Sequence, residues 1–115
     1  MKVIAIRYTK DTAALVRFYE ALGVEPASAS RPGNWVELAG ESGTVAVHLD
    51  DEQDGGRCEV AFESDEPLEQ VAERVSTAGF ETGLVMDENF GQSLRVRDPD
   101  GVWVQINLFD RELYT

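Results

Sequence analysis

One order of strand and helix occurs twice along this chain, and this repeat constrains the fold more than any other feature. The alternating segment VIAIRYT (3–9) precedes DTAALVRFYEALG (11–23), where apolar residues recur every three or four positions. CEVAFES (58–64) and PLEQVAERVSTAG (67–79) repeat that order. Alternation of apolar and polar residues is typical of a half-buried strand, and a spacing of three or four positions is typical of an amphipathic helix. The sequence therefore predicts two copies of one unit.

Three further strands are predicted after each helix. Their ranges are 24–31, 34–40 and 43–49 in the first copy, and 80–86, 92–98 and 102–109 in the second. Turn residues such as DPDG (98–101) separate them. A shift of 56 residues superposes Ile4 on Val60 and Gly23 on Gly79. The predicted order is βαβββ, twice.

Two such modules in tandem predict an α+β fold with a curved mixed sheet, helices on its outer face and a central groove. We expect a single domain over residues 1–115, with repeat one at about 1–52 and repeat two at about 57–115. DDEQDGG (50–56) is the candidate linker. Residues that point away from the helices are expected to line the groove, where a ligand would bind.

The charge balance excludes several partners. The chain carries 22 acidic and 10 basic side chains, a net charge of −12. Nucleic acids and anionic membrane surfaces need basic patches, so neither is an expected partner. A polar N-terminus and the lack of a long apolar stretch predict a cytoplasmic protein. The single cysteine, Cys58, excludes an intrachain disulfide.

Alternation along the strands identifies candidate ligand-binding residues. Trp35 and Glu37 alternate with aliphatic residues, as does Trp103. If the aliphatic side chains meet the helices, both indoles face the groove, where they would bind a flat or cationic molecule or pack a dimer interface. The same alternation predicts that Arg7 and Arg95 also face the groove. They would bind a carboxylate or phosphate, or pair with Glu37, Glu59 or Glu63.

DTAALVRFYEALGVE in the first half and RVRDPDGVWVQINLF in the second, with the duplicated βαβββ order, carry a family resemblance. The chain resembles the vicinal oxygen chelate superfamily, which groups glyoxalase I, bleomycin-resistance proteins, fosfomycin-resistance enzymes and extradiol dioxygenases. The resemblance extends over essentially the whole chain and implies a homodimer. It says little about activity, because one fold hosts many functions.

The resemblance also implies four metal-ligand positions on the first and last strand of each module. They fall on Val3 or Ile4, on His48, on Glu59 and on Gln105. The first is aliphatic, and the others form a poor set for Zn²⁺ or Ni²⁺. A chain with one histidine cannot supply the two histidines of a non-haem iron dioxygenase. Extradiol dioxygenase activity is therefore not expected.

Three functions stay open at this point. The first is a small-molecule-binding protein that takes an aromatic or cationic compound without an obligatory metal. The second is a glyoxalase-like lyase or isomerase in which His48, Glu59 and Gln105 hold a divalent ion (Ni, Zn, Mn or Co). His48 and Glu59 are its candidate catalytic residues. The third is a structural or interaction module with a vestigial groove.

Overall fold

A computed structural model of the protein describes residues 1–27, 31, 33–50 and 56–113. These residues form eight strands and two α-helices in the order βαβββ, twice, so the predicted α+β class is confirmed. The elements are β1 (Lys2–Thr9), α1 (Thr12–Ala21), β2 (Glu25–Pro26), β3 (Trp35–Ala39), β4 (Thr44–Leu49), β5 (Cys58–Glu63), α2 (Leu68–Thr77), β6 (Met86–Glu88), β7 (Gly91–Arg97) and β8 (Trp103–Phe109), with a short 3-10 helix (Arg111–Leu113) after them.

The described residues divide into two compact units. The first unit takes in Val3–Val60, and the second takes in Met1–Lys2 and residues 61–113. The first holds α1 with β1 to β4, and the second holds α2 with β6 to β8, while β5 contributes to both. The grouping of residues 1–115 into a single domain stays a prediction.

Strands of the first unit lie in the order β2-β3-β4-β1. β2 pairs with β3 and β3 with β4 in antiparallel fashion, whereas β1 pairs with β4 in parallel. His48 on β4 is the register partner of Tyr8 on β1 and of Trp35 on β3. Because partners in register project to the same side of a sheet, these three side chains share one face.

α1 covers the other face of that sheet. Asp11 is its N-cap, and the Asp11 Oδ1 accepts a hydrogen bond from the Ala14 amide at 3.0 Å. Such a cap satisfies one of the unpaired amides of the first turn. Val36, Leu38 and Val47 are buried from the strands, and Leu15, Val16 and Tyr19 pack on them from the helix. Val47 on β4 is thus buried against α1, and its neighbour His48 points to the opposite face.

The second unit repeats the arrangement. Its strands lie in the order β5-β8-β7-β6, with β5 and β8 parallel and the other pairs antiparallel. α2 packs on one face through Leu68 and Val71, which form a buried cluster with Leu94 and Ile106. The face of β8 opposite α2 therefore carries Trp103, Gln105 and Asn107, as the alternation of side chains predicts.

Both helix ends and the DPDG turn match the sequence prediction. Gly23 and Gly79 follow α1 and α2 with φ of +104° and +96°, a backbone conformation that favours glycine. In the turn, the Asp98 Oδ1 accepts hydrogen bonds from the amides of Asp100 and Val102 at 2.9 and 3.0 Å. These bonds lead the chain from β7 into β8.

Two strand predictions need correction. The strand predicted over 80–86 is wrong, because continuous pairing with β7 begins only at Met86, and Thr82 forms an isolated bridge with Val96. Gly83, without a side chain to pack, lies between the two. The strand predicted over 24–31 is reduced to Glu25–Pro26, part of it lying outside the described residues. Pro26 has no amide hydrogen to donate to a ladder.

Most of the predicted linker (50–56) also lies outside the described residues. Among the helices that the structure describes, none is long and apolar enough to cross a membrane.

Truncation of a core leucine tests the packing of the second unit. Leu94 is fully buried, whereas Leu84 is 81% exposed. We expect Leu94→Ala to lower the free energy of unfolding by about 2–5 kcal/mol, because it removes buried methyl groups and leaves a cavity. Leu84→Ala, the matched control, should change it by less than about 0.5 kcal/mol. Urea denaturation followed by circular dichroism measures both, and equal effects would contradict the core assignment.

Candidate functional site

The face of the first unit opposite α1 carries a group of aromatic side chains, Tyr8, Trp35 and His48, here termed the aromatic cluster. The rings of Tyr8 and His48 are stacked, with centroids 5.5 Å apart and planes inclined by 25°. Trp35 meets His48 edge to face, with a centroid distance of 5.5 Å and an angle of 90°. Both arrangements are favourable geometries for aromatic pairs. The sequence prediction that Trp35 and His48 lie away from the helix is confirmed.

Tyr8 also binds Glu59, the carboxylate at the start of β5. The Tyr8 hydroxyl donates to the Glu59 Oε1 at 2.8 Å. The guanidinium of Arg57 lies over the Tyr8 ring, with its carbon Cζ 3.9 Å from the ring centroid. One tyrosine therefore contacts an imidazole, a carboxylate and a guanidinium, through its ring or its hydroxyl.

The environment of Tyr8 raises the pKa of its hydroxyl from 10 to about 12. Partial burial is the largest cause, followed by the hydrogen bond and the negative charge of Glu59, while the charge of Arg57 and its hydrogen bond act in the opposite direction. Tyr8 is thus a neutral hydrogen-bond donor throughout the physiological range.

His48 has one ring nitrogen committed to the backbone. Its Nδ1 lies 2.9 Å from the carbonyl oxygen of Leu49. Since a carbonyl only accepts, a neutral His48 carries its proton on Nδ1 in this contact and its lone pair on Nε2. The indole Nε1 of Trp35 donates to the Glu37 Oε2 at 3.2 Å, and Glu37 is 4% exposed. Hydrogen bonds therefore orient both the imidazole of His48 and the indole of Trp35 in the cluster.

The sequence prediction missed Tyr8. It placed Arg7 on the groove side, and Tyr8, which alternates with Arg7 along the strand and shares the side of Ile4 and Ile6, was therefore not a candidate. Both isoleucines are buried, yet they lie on the face away from α1. The available signal was the single histidine: any residue in register with it across a neighbouring strand shares its face.

Arg7 lies on the opposite face from the one predicted. Its Nη1 donates to the Tyr19 hydroxyl on α1 at 3.2 Å, so Arg7 faces the helix. The reason is the reversed parity of β1: if Tyr8 faces away from α1, its neighbour faces toward it. A ligand-binding role for Arg7 stays a prediction, now without a place in the aromatic cluster.

Gln105 and Arg95 meet on one face of the second unit. The Arg95 Nη2 donates to the Gln105 Oε1 at 3.1 Å, and the Gln105 Nε2 donates to the Asn107 Oδ1 at 2.8 Å. Trp103 lies on the same face, 41% exposed, with the Arg97 guanidinium 5.6 Å from its ring. The second unit thus has a polar network where the first has aromatic rings.

These contacts test whether the four family positions suit a divalent metal. The Glu59 Oε1 already accepts from Tyr8, and the Gln105 oxygen accepts from the cationic Arg95. The first position is aliphatic, whether Val3 or Ile4. Across the described parts of the chain, no three His, Cys, Asp or Glu side chains form a group that could hold a metal. The donor set therefore does not fit a three-ligand zinc or nickel site.

A family model and several solved structures resemble this chain. The model of the Glyoxalase/Bleomycin resistance protein/Dioxygenase superfamily matches residues 3–106. A comparison with curated proteins finds no match.

Among solved structures, a protein described as an NAD-dependent benzaldehyde dehydrogenase from Legionella pneumophila has a TM-score of 0.70 and 18% identity, over 94% of this chain and 99% of that one. A superfamily member from Vibrio splendidus has a TM-score of 0.58 and 18% identity, over 91% and 96%. An extradiol ring-cleaving dioxygenase from B. fuscum has a TM-score of 0.58 and 16% identity, over 97% of this chain but 36% of its own. At such identities the likeness concerns the fold alone.

Ionisation of Tyr8 gives a direct test of the site geometry. We expect the difference in absorbance between the wild type and Tyr8→Phe, followed against pH, to show a midpoint near 12. Glu59→Gln keeps an acceptor but removes the charge, so its midpoint should be lower. Because the folded pKa exceeds the unfolded value, the stability contributed by Tyr8 is complete below pH 10 and is lost as the pH rises towards 12. A midpoint near 10 with native circular dichroism would contradict the Tyr8–Glu59 bond.

Proposed function

Because this chain belongs to the Glyoxalase/Bleomycin resistance protein/Dioxygenase superfamily, we propose that it binds an aromatic or cationic small molecule without an obligatory metal ion. The hydrogen bond from Tyr8 to Glu59 carries this proposal. It builds the carboxylate that stands at a family ligand position into an aromatic surface.

The aromatic cluster supplies the apolar part of the proposed binding site. Tyr8, Trp35 and His48 are all partly exposed, so their rings remain accessible while their positions are fixed by neighbours. Preformed aromatic surface binds a flat ring with little loss of side-chain freedom. Trp103 as a second wall of the site stays a prediction.

Charge sets the polar part of the proposed specificity. Glu59 bonds to Tyr8, Glu37 bonds to Trp35, and Asp50 pairs with Arg57. The carboxylates of Glu59 and Asp50 beside Tyr8 disfavour an anionic compound there and support a neutral or cationic one. In a chain of net charge −12, the long-range field acts in the same direction.

Calorimetric titration with three single-ring compounds tests the proposal: benzylamine, benzyl alcohol and benzoate supply one cation, one neutral molecule and one anion. We expect the cation or the neutral compound to bind and benzoate not to bind. Trp35→Phe should weaken that binding about tenfold, since it removes part of the ring surface and the indole donor. Phe18→Leu, at an exposed aromatic residue on α1, is the matched control and should have no effect.

Loss of binding in both variants, or a preference for benzoate, would contradict the proposed site. Trp103→Phe reports separately whether the second predicted wall takes part.

Metal titration tests the alternative, a metal-dependent lyase or isomerase. We expect Ni²⁺, Zn²⁺, Mn²⁺ and Co²⁺ to show no saturable binding tighter than about 10 μM, because the family position on β1 is aliphatic and the amide oxygen of Gln105, a weak ligand, already accepts from Arg95. Mass spectrometry of untagged protein gives the metal content, and calorimetry of wild type and His48→Ala gives the affinity. One ion per chain in the wild type, lost in His48→Ala, would instead favour the enzyme.

A further inference from the structure

Arg57 occupies a position that has the chemistry of a cation-binding subsite. Its guanidinium carbon lies 3.9 Å from the centroid of the Tyr8 ring, and its Nη2 lies 3.6 Å from the Asp50 Oδ2. At the hydroxyl end of the same ring is the Glu59 carboxylate. An aromatic face bordered by carboxylates is a surface that attracts organic cations.

We propose that the face of Tyr8 is the subsite for the cationic group of a ligand of the quaternary ammonium class, and that Arg57 occupies this subsite until the ligand displaces it. The inference rests on the proposed function, which it deepens: it names the ligand's charged group and the residue that competes with it.

The walls of this subsite are more firmly held than its occupant. Tyr8 is anchored through its hydroxyl, and its amide donates to the Arg57 carbonyl at 2.9 Å. The Asp50 amide donates to the Thr9 carbonyl at 2.8 Å, and its side chain is 19% exposed. The Arg57 side chain, by contrast, is 46% exposed, and its ion pair of 3.6 Å with Asp50 is weak at such exposure; Arg57 also interacts with the ring and the hydroxyl of Tyr8.

Displacement therefore involves the side chain alone. The backbone of residues 56 and 57 is paired with β1, since the Gly56 amide also donates to the Tyr8 carbonyl at 2.9 Å. When the guanidinium moves into solvent, the ring of Tyr8 becomes available to another cation without a change in the strands. An anion gains nothing from this exchange, because it would meet Asp50 and Glu59 in place of Arg57.

Two compounds of the same shape separate charge from size. 3-Hydroxyphenyltrimethylammonium is a cation, and 3-tert-butylphenol is its neutral isostere. If Arg57 competes for the subsite, Arg57→Gln should bind the cation about tenfold tighter than the wild type does, while the neutral compound should change by less than about twofold. Calorimetry or ligand-observed NMR measures both.

Arg111→Gln is the matched control, because Arg111 also lies over an aromatic ring, that of Phe109, in the second unit. It should leave both affinities unchanged. Adding Tyr8→Leu to Arg57→Gln should abolish the gain, since the aromatic face is then absent.

Three results would overturn the inference. Equal or weaker binding of the cation by Arg57→Gln removes the competition, and an equal gain for 3-tert-butylphenol shows that the effect is steric. In either case the proposed function stands if the wild type binds the compounds. Absence of binding of both compounds to every variant overturns the inference and the proposed function together.

Discussion

The parallel register between β1 and β4 decides which side chains meet on the exposed face of the first unit. It pairs Tyr8 with His48, and the antiparallel register of β3 brings Trp35 to the same histidine. Because side chains alternate with a period of two, a slip by one residue would turn Tyr8 towards α1 and bring Arg7 to His48. Leu38 and Val47 oppose such a slip in the neighbouring strands, since their burial against α1 fixes which face of β3 and β4 is apolar.

The contrast between the two units shows how one architecture supports two surfaces. Each unit packs a helix on one face of a four-stranded arrangement through aliphatic residues. On the other face, the first unit has three aromatic rings, and the second has an arginine, a glutamine and an asparagine linked by hydrogen bonds. The aliphatic faces specify the fold, and the remaining faces are left to differ.

Much of this architecture is readable from the sequence, and the errors have definite causes. The helices and the central strands follow from periodicity, because a helix and the strands beneath it each bury one apolar face. Trp35, Glu37 and Gln105 are placed correctly for the same reason. The glycines at the helix ends follow from their backbone conformation. β1 departs from the rule, since Ile4 and Ile6 are buried on the face away from α1 and so conceal the position of Tyr8. The strand predicted over 80–86 fails because pairing depends on the partner strand, which local sequence does not encode.

The bond between Tyr8 and Glu59 also constrains how the chain can change over generations. Each residue satisfies the other, so a substitution at either position leaves a half-exposed partner without its bond. A lineage that moved towards metal binding would need a new ligand on β1, whereas the bond from Tyr8 could remain and orient the carboxylate. The pair therefore restricts substitution at positions 8 and 59 more than it restricts the acquisition of a metal ion.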